Sequence, residues 1–170
     1  MPVVSVALPD ADATERLGQR IAGLLVAGDL VLLTGDLGAG KTTLTRGIGA
    51  GLGVRGPVTS PTFVVAREHP PLADGPGLVH VDLYRVGTDA EIDDLDLASS
   101  DAVTVVEWGA GRAEHLGDSR LEITLEEPEG GGRVAVLRGL GARWQGVSLE
   151  GVSPEGVSPE GVSPEGVGDP

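Results

Sequence analysis

Three groups of residues in this chain combine types and spacing suited to phosphate chemistry. The first is Gly35-Asp36-Leu37-Gly38-Ala39-Gly40-Lys41-Thr42, which reads G-x-x-x-x-G-K-[ST]. Glycines at 35, 38 and 40 let the backbone turn sharply and approach a ligand closely. The loop's N–H groups then face inward as an anion-binding nest, and the positive end of a following helix adds to it. Lys41 would reach the β- and γ-phosphates, and the Thr42 hydroxyl would join a magnesium ion. Lys41 is the sole lysine of the chain; the other eleven cations are arginines. A compact ammonium is kept where a planar guanidinium is not equivalent. The second and third groups are acids that end apolar runs, Leu78-Val79-His80-Val81-Asp82 and Ala102-Val103-Thr104-Val105-Val106-Glu107. A carboxylate at the C-terminal end of a strand beside such a loop orients Mg²⁺ or a water. Two of them, Asp82 and Glu107, favour metal and water positioning over a pair of solvated strand caps.

These residues need a parallel sheet behind them. Asp29-Leu30-Val31-Leu32-Leu33-Thr34 reads as a buried strand running into the loop. Leu44, Ile48 and Leu52 recur at helical spacing after it. Upstream, Val3-Val4-Ser5-Val6-Ala7-Leu8 reads as an edge strand. A helix follows, capped by Asp10 or Asp12, with Leu17, Ile21, Leu24 and Leu25 as its buried stripe and Gly28 as its end. Gly51, Gly53 and Gly56-Pro57 end the helix after the loop. Ser60-Pro61-Thr62 is a turn signal leading into a strand. Residues 68–77 are rich in Pro and Gly and read as a mobile loop. Residues 88–97 read as an acidic amphipathic helix, a solvated face or a docking surface. Residues 112–116 suggest one more helical turn. Leu121-Glu122-Ile123-Thr124-Leu125 and Arg133-Val134-Ala135-Val136-Leu137, joined through Gly130-Gly131-Gly132, predict a terminal antiparallel hairpin. His69, His80 and His115 lack metal-ligand spacing and read as surface or strand histidines.

Bulk composition sets the bounds. A chain of 170 residues fits one domain, expected over 1–146, with a tail over 147–170. That tail runs Val147-Ser148-Leu149-Glu150-Gly151 and then Val-Ser-Pro-Glu-Gly three times, a composition expected to stay disordered. The core must be mostly Val, Leu, Ile and Ala, since two Trp, one Tyr and one Phe are all the aromatics. With no cysteine, disulfides and thiolate metal sites are excluded. The net charge is −14; without the tail the chain holds twelve bases against twenty-one acids, still −9. Such a surface argues against gripping nucleic acid through phosphate contacts of its own. No run reaches transmembrane length and no basic-then-apolar leader opens the chain, so a cytoplasmic location is expected.

The loop at 35–43, Ser60-Pro61-Thr62, His80-Val81-Asp82-Leu83-Tyr84-Arg85 and Val106-Glu107-Trp108 occur together in order and spacing. In these strings the chain resembles the TsaE (YjeE) family, bacterial ATPases of tRNA threonylcarbamoyladenosine synthesis, over roughly residues 5–140. The loop is shared by many ATPases; the D-L-Y-R and V-E-W strings are far more specific. The resemblance implies an α/β P-loop NTPase fold, a mostly parallel central sheet flanked by helices. It implies ATP and Mg²⁺ as cofactors, slow hydrolysis alone, and TsaD-like and TsaB-like partners. Together these place a threonylcarbamoyl group on N6 of adenosine 37 in tRNAs reading A-starting codons, the ATPase being accessory. Carried over by position, Gly38, Ala39, Gly40, Lys41, Thr42 and Thr43 hold the phosphates. Thr42 and Glu107 serve the metal, and Asp82 orients or activates water. Thr62 belongs to a switch sensing the γ-phosphate, Trp108 moves with Glu107, and Arg133 is a basic residue at the nucleotide. Ala11 stands where the family often has an acid, so a contact there is through backbone or apolar contact.

Other functions on the same loop stay in view. A small-molecule kinase would need an Arg-rich lid; Arg85 and Arg112 are available, but no such segment is visible. A GTP switch would need an N-K-x-D string, and the single lysine is committed to phosphate. A nucleotide-dependent binding module with negligible turnover uses the same residues.

Overall fold

A computed structural model of the chain describes residues 2–36, 38–58, 66–83, 101–108 and 111–152. The expected Ser60-Pro61-Thr62 switch, the Tyr84-Arg85 pair, the acidic helix at 88–97 and the repeats from 153 onward lie outside the described residues. The elements are β1 (Val3–Leu8), α1 (Ala11–Ala22), β2 (Leu30–Gly35), α2 (Lys41–Leu52), β3 (Ala66–His69), β4 (Gly77–Asp82), β5 (Ala102–Glu107), β6 (Arg120–Glu126) and β7 (Arg133–Leu140), with short 3₁₀ turns at Glu114–Leu116, Ala142–Trp144 and Glu150–Val152.

One seven-stranded sheet runs β1-β7-β6-β2-β5-β4-β3. Its centre, β6-β2-β5-β4, is parallel. Antiparallel pairs finish both sides: β6-β7-β1 on one and β4-β3 on the other. The fold is the expected α/β P-loop NTPase class, and the terminal hairpin is β6-β7. Because β2, β4 and β5 are parallel, their C-terminal ends share one edge, which carries the glycine loop, Asp82 and Glu107.

Alternation along the strands sorts the core. Val31, Leu33, Val103, Val105, Leu121 and Ile123 face one way and meet Leu17 and Ile21 of α1 and Leu44 and Ile48 of α2. Leu30, Leu32, Val81 and Val106 face the other way, with Leu83 and Ala113. Both described helices therefore cover the same face. All six residues of β5 are buried, which is why it reads as an unbroken apolar run.

The Asp10 carboxylate caps α1, accepting from the Ala13 N–H at 2.8 Å. The helix stops at Ala22, six residues before the expected Gly28; the Gly23 and Leu24 N–H groups close the last turn onto the Arg20 and Ile21 carbonyls at 3.1 and 2.8 Å. Leu25 is still buried, but from the turn beyond the helix. The 68–77 stretch is likewise shorter as a loop than expected, since Glu68 and His69 belong to β3 and Gly77 opens β4.

Glycine lets α1 and α2 cross at backbone contact. A Cβ at Gly47 would lie 2.1 Å from the Glu15 carbonyl oxygen, and one at Gly18 would lie 2.4 Å from the Leu44 carbonyl oxygen. Helix propensity favours alanine over glycine by up to about 1 kcal/mol, but a clash against backbone has no flexible end to give. Overpacking costs about 1–3 kcal/mol and wins. Gly47→Ala is expected to lower the melting temperature by about 2–8 °C in thermal unfolding; a rise would show that the helices separate at no cost.

The folded unit reaches further than 146. Trp144, Leu149 and Val152 are buried in the main core. Arg143 forks the Asp29 carboxylate, Nε to Oδ1 and Nη2 to Oδ2 at 2.9 Å each, and Nη2 also donates to the Leu24 carbonyl at 2.6 Å. Its guanidinium stacks 4.5 Å from the Trp144 ring centre. Burial thus continues past position 146, where the tail is expected to begin, as far as Val152. The cause lies in the first repeat unit, which carries Leu149 where later units carry proline, and leucine has apolar area to bury. Among the described residues no helix is long and apolar enough to cross a membrane.

Candidate functional site

The loop between β2 and α2 owes its shape to two glycines with positive φ, Gly38 at 82° and Gly40 at 107°. Side chains rarely adopt that backbone. Gly40 is the N-cap of α2 and supplies no side-chain cap. With no side chain at the N-cap, the N–H groups of the first turn can serve a ligand of opposite charge, as an anion-binding helix start requires.

Lys41 is 5 % exposed. Its ammonium donates to the Gly35 and Asp36 carbonyls at 2.7 and 2.9 Å. The Trp108 ring caps it, with Nζ 4.1 Å from the ring centre, a cation–π distance. Trp108 holds φ at 66°, a left-handed conformation uncommon for a bulky residue, and its N–H donates to the Leu33 carbonyl at 2.9 Å. Burial pulls the Lys41 pKa below 10.5, while Glu107, Asp82 and Asp36 act in the opposite direction.

A pH dependence follows. A bound triphosphate favours the ammonium, so its affinity is greatest below the lowered Lys41 pKa and falls as pH rises through it. For the ligand-free fold the sign is reversed: charge burial costs stability below that pKa, and the cost fades as pH climbs towards 10.5. Calorimetric titration with a triphosphate in EDTA, from neutral pH to about 10, checks the first statement; affinity that rises along that series contradicts it.

Opposite the loop stand the two acids. Asp82 and Glu107 are paired in register on β4 and β5. Glu107 is 3 % exposed. Its Oε2 lies 3.5 Å from the Thr42 hydroxyl and 2.5 Å from Nε2 of His80. No group of three or more His, Cys, Asp or Glu that could hold a metal occurs among the described residues. A magnesium site built on a nucleotide takes most of its ligands from phosphate and water, with one or two from protein. The Thr42 hydroxyl and the Glu107 carboxylate are hard oxygen donors near enough to share such an ion.

Beside the loop lies a cavity of about 280 Å³. The β1–α1 turn lines it with Leu8, Pro9, Asp10, Ala11 and Thr14. The loop and α2 add Gly38, Ala39, Gly40 and Thr43, and the start of β7 adds Gly132 and Arg133. Arg133 donates to the Gly38 carbonyl at 3.2 Å and pairs with Glu127 at 2.8 Å, so it spans from the hairpin to the loop.

The expected site residues thus fall in two adjoining places. Ala11, Gly38, Ala39, Gly40, Thr43 and Arg133 line the cavity. Lys41, Thr42, Asp82 and Glu107 surround the far side of the loop. Thr62 lies outside the described residues. One residue was missed: His80 is wholly buried against Glu107, not a bland strand histidine. A signal existed, since strand alternation puts His80 on the same face as Asp82, diagonal to Glu107 on the next strand.

A family model described as "Threonylcarbamoyl adenosine biosynthesis protein TsaE" matches residues 8–135. A relative from Streptomyces coelicolor named "tRNA threonylcarbamoyladenosine biosynthesis protein TsaE" is 58 % identical over 135 residues, covering 75 % of this chain and 91 % of that one. One of the same name from Bacillus subtilis is 35 % identical over 136 residues, covering 79 % and 84 %. Among solved structures, the crystal structure of Bacillus subtilis YdiB superposes with a TM-score of 0.68 at 29 % identity, covering 84 % of this chain and 89 % of that one. With a family model matched over residues 8–135 and a relative 58 % identical, the chain belongs to the TsaE family.

Proposed function

We propose that this protein binds ATP with Mg²⁺ and hydrolyses it in support of threonylcarbamoyladenosine formation at position 37 of tRNAs reading A-starting codons. The reading takes its place in tRNA modification from the names its relatives carry. One observation carries the nucleotide part: an uncapped α2 N-terminus bearing the buried Lys41 ammonium and Thr42 stands beside Glu107, with a cavity of about 280 Å³ next to the loop.

In this reading the backbone amides of 38–43 and the Lys41 ammonium neutralise and orient the phosphates, apart from the Ala39 N–H, which donates to the Asp36 carbonyl at 3.0 Å. Ala11 and Arg133 flank the base and ribose in the cavity. The Thr42 hydroxyl and Glu107 carboxylate hold the metal, and Asp82 orients a water. Magnesium, when bound, offsets charge building on the phosphate oxygens. Nothing here forms a bond to protein, so positioning and charge supply the rate.

TsaD-like and TsaB-like proteins are the expected partners, the transfer itself belonging to the former, and the cytoplasm is the expected location. A strongly acidic chain suits a factor that acts through protein partners more than through its own grip on RNA. The test is ATP turnover by the chain alone and with both partners, alongside competition of ATP against GTP. Stimulated, ATP-selective turnover is expected; tight binding with no turnover under any condition would make the protein a nucleotide-dependent binding module instead.

A further inference from the structure

We propose that His80 is a positioning residue, whose imidazole holds the Glu107 carboxylate in the orientation that receives magnesium; the inference rests on the nucleotide reading above. His80 lies in the middle of β4, with no exposed surface. A leucine would satisfy the strand's apolar pattern there, as Leu78 does two residues earlier. What leucine would not do is donate. Nε2 of His80 meets Glu107 Oε2 at 2.5 Å, and a carboxylate only accepts, so the ring proton sits on Nε2. The other ring nitrogen agrees: among the described residues, buried Nδ1 has no hydrogen-bond partner, which a bare acceptor tolerates better than an N–H.

The bond matters because of what else meets the same oxygen. Thr42, expected on the metal, lies 3.5 Å from Oε2. An unheld glutamate has three rotatable bonds and would swing between Thr42, Lys41 and water. His80 reaches Glu107 from the next strand along the sheet, so its position is set by β-sheet geometry and not by the loop. A carboxylate ligand oriented by a hydrogen-bonded neighbour binds metal more tightly, typically by about 10–100-fold.

The experiment is calorimetric binding of a non-hydrolysable ATP analogue, with EDTA and over a magnesium series, for wild type, H80L and H80Q. The glutamine amide reaches to the depth of Nε2 and can donate as histidine does. For H80L, the magnesium-dependent gain in affinity is expected to shrink about tenfold while affinity in EDTA stays within about twofold. H80Q is expected to recover to within about threefold of wild type. If H80L fails to fold, H80N replaces it, because the asparagine amide stops at the depth of Nδ1 and falls short of Glu107. Equal magnesium dependence in the asparagine and glutamine variants, or in H80L and wild type, overturns the proposal. So does a parallel loss in EDTA with a matching fall in melting temperature, which marks a purely structural residue. A wild-type chain that binds no nucleotide overturns the functional reading and this proposal together, whereas magnesium-assisted binding indifferent to His80 overturns this proposal alone.

Discussion

Lys41→Ala is expected to weaken triphosphate binding by about 10²–10³-fold, with the fold intact. Charge-assisted hydrogen bonds to phosphate are worth about 1.5–3 kcal/mol each, and the ammonium, with three N–H donors, can make two of them across the β- and γ-phosphates by giving up one of its carbonyl bonds. Losing both costs about 3–6 kcal/mol, and the lower part of that span, about 3–4 kcal/mol, gives the expected range of affinity. No other lysine exists to substitute. Lys41→Arg should not restore binding. The ammonium fits between the Gly35 and Asp36 carbonyls and the Trp108 ring, and a planar five-donor fork does not share that shape. Stability should move little, because removing a desolvated charge offsets the two lost carbonyl bonds. Calorimetry and thermal unfolding on the same samples therefore separate lost binding from lost structure. An alanine variant that binds ATP as wild type does would remove the loop from the account.

Much of this arrangement was legible in the residues because its causes are local. A phosphate loop needs glycine where φ is positive, and Gly38 and Gly40 occupy those positions. A strand buried on both faces needs an unbroken apolar run, and β5 begins and ends where that run does. Elements set by longer-range contacts were harder to read. Leu24 and Leu25 continue the α1 stripe, yet the helix ends at Ala22, and the apolar pattern does not distinguish a buried turn from a buried helix. The pairing of β1 with β7 depends on residues more than a hundred positions apart. Val147, Leu149 and Val152 were hidden within a repeat whose later copies contain proline. His80 was missed for a related reason. Its meaning lies in the register of β4 against β5, which places it diagonal to Glu107, and register is invisible in either strand alone.

Asp82→Asn and Glu107→Gln are expected to fail differently, although the two acids look alike along the chain. In the sheet, β5 adjoins β2 and β4 lies one strand beyond it. Neighbouring strands are about 4.8 Å apart, so Asp82 stands roughly 5 Å further from the phosphate loop than Glu107 does. Glu107 reaches the neighbourhood of Thr42 directly. Asp82, at that extra remove, suits contact with the ion or the γ-phosphate through an intervening water. Glu107→Gln should therefore reduce magnesium-dependent ATP affinity by about 10–100-fold and lower turnover along with it. Asp82→Asn should leave that affinity within about threefold while turnover with both partners falls by about 10²–10⁴-fold, the range for losing a positioned base. Equilibrium binding and single-turnover hydrolysis, measured on both variants, distinguish the roles. If Asp82→Asn lost magnesium-dependent affinity and Glu107→Gln kept it, the metal would belong to the outer strand and the order of the two acids around the phosphates would have to be reversed.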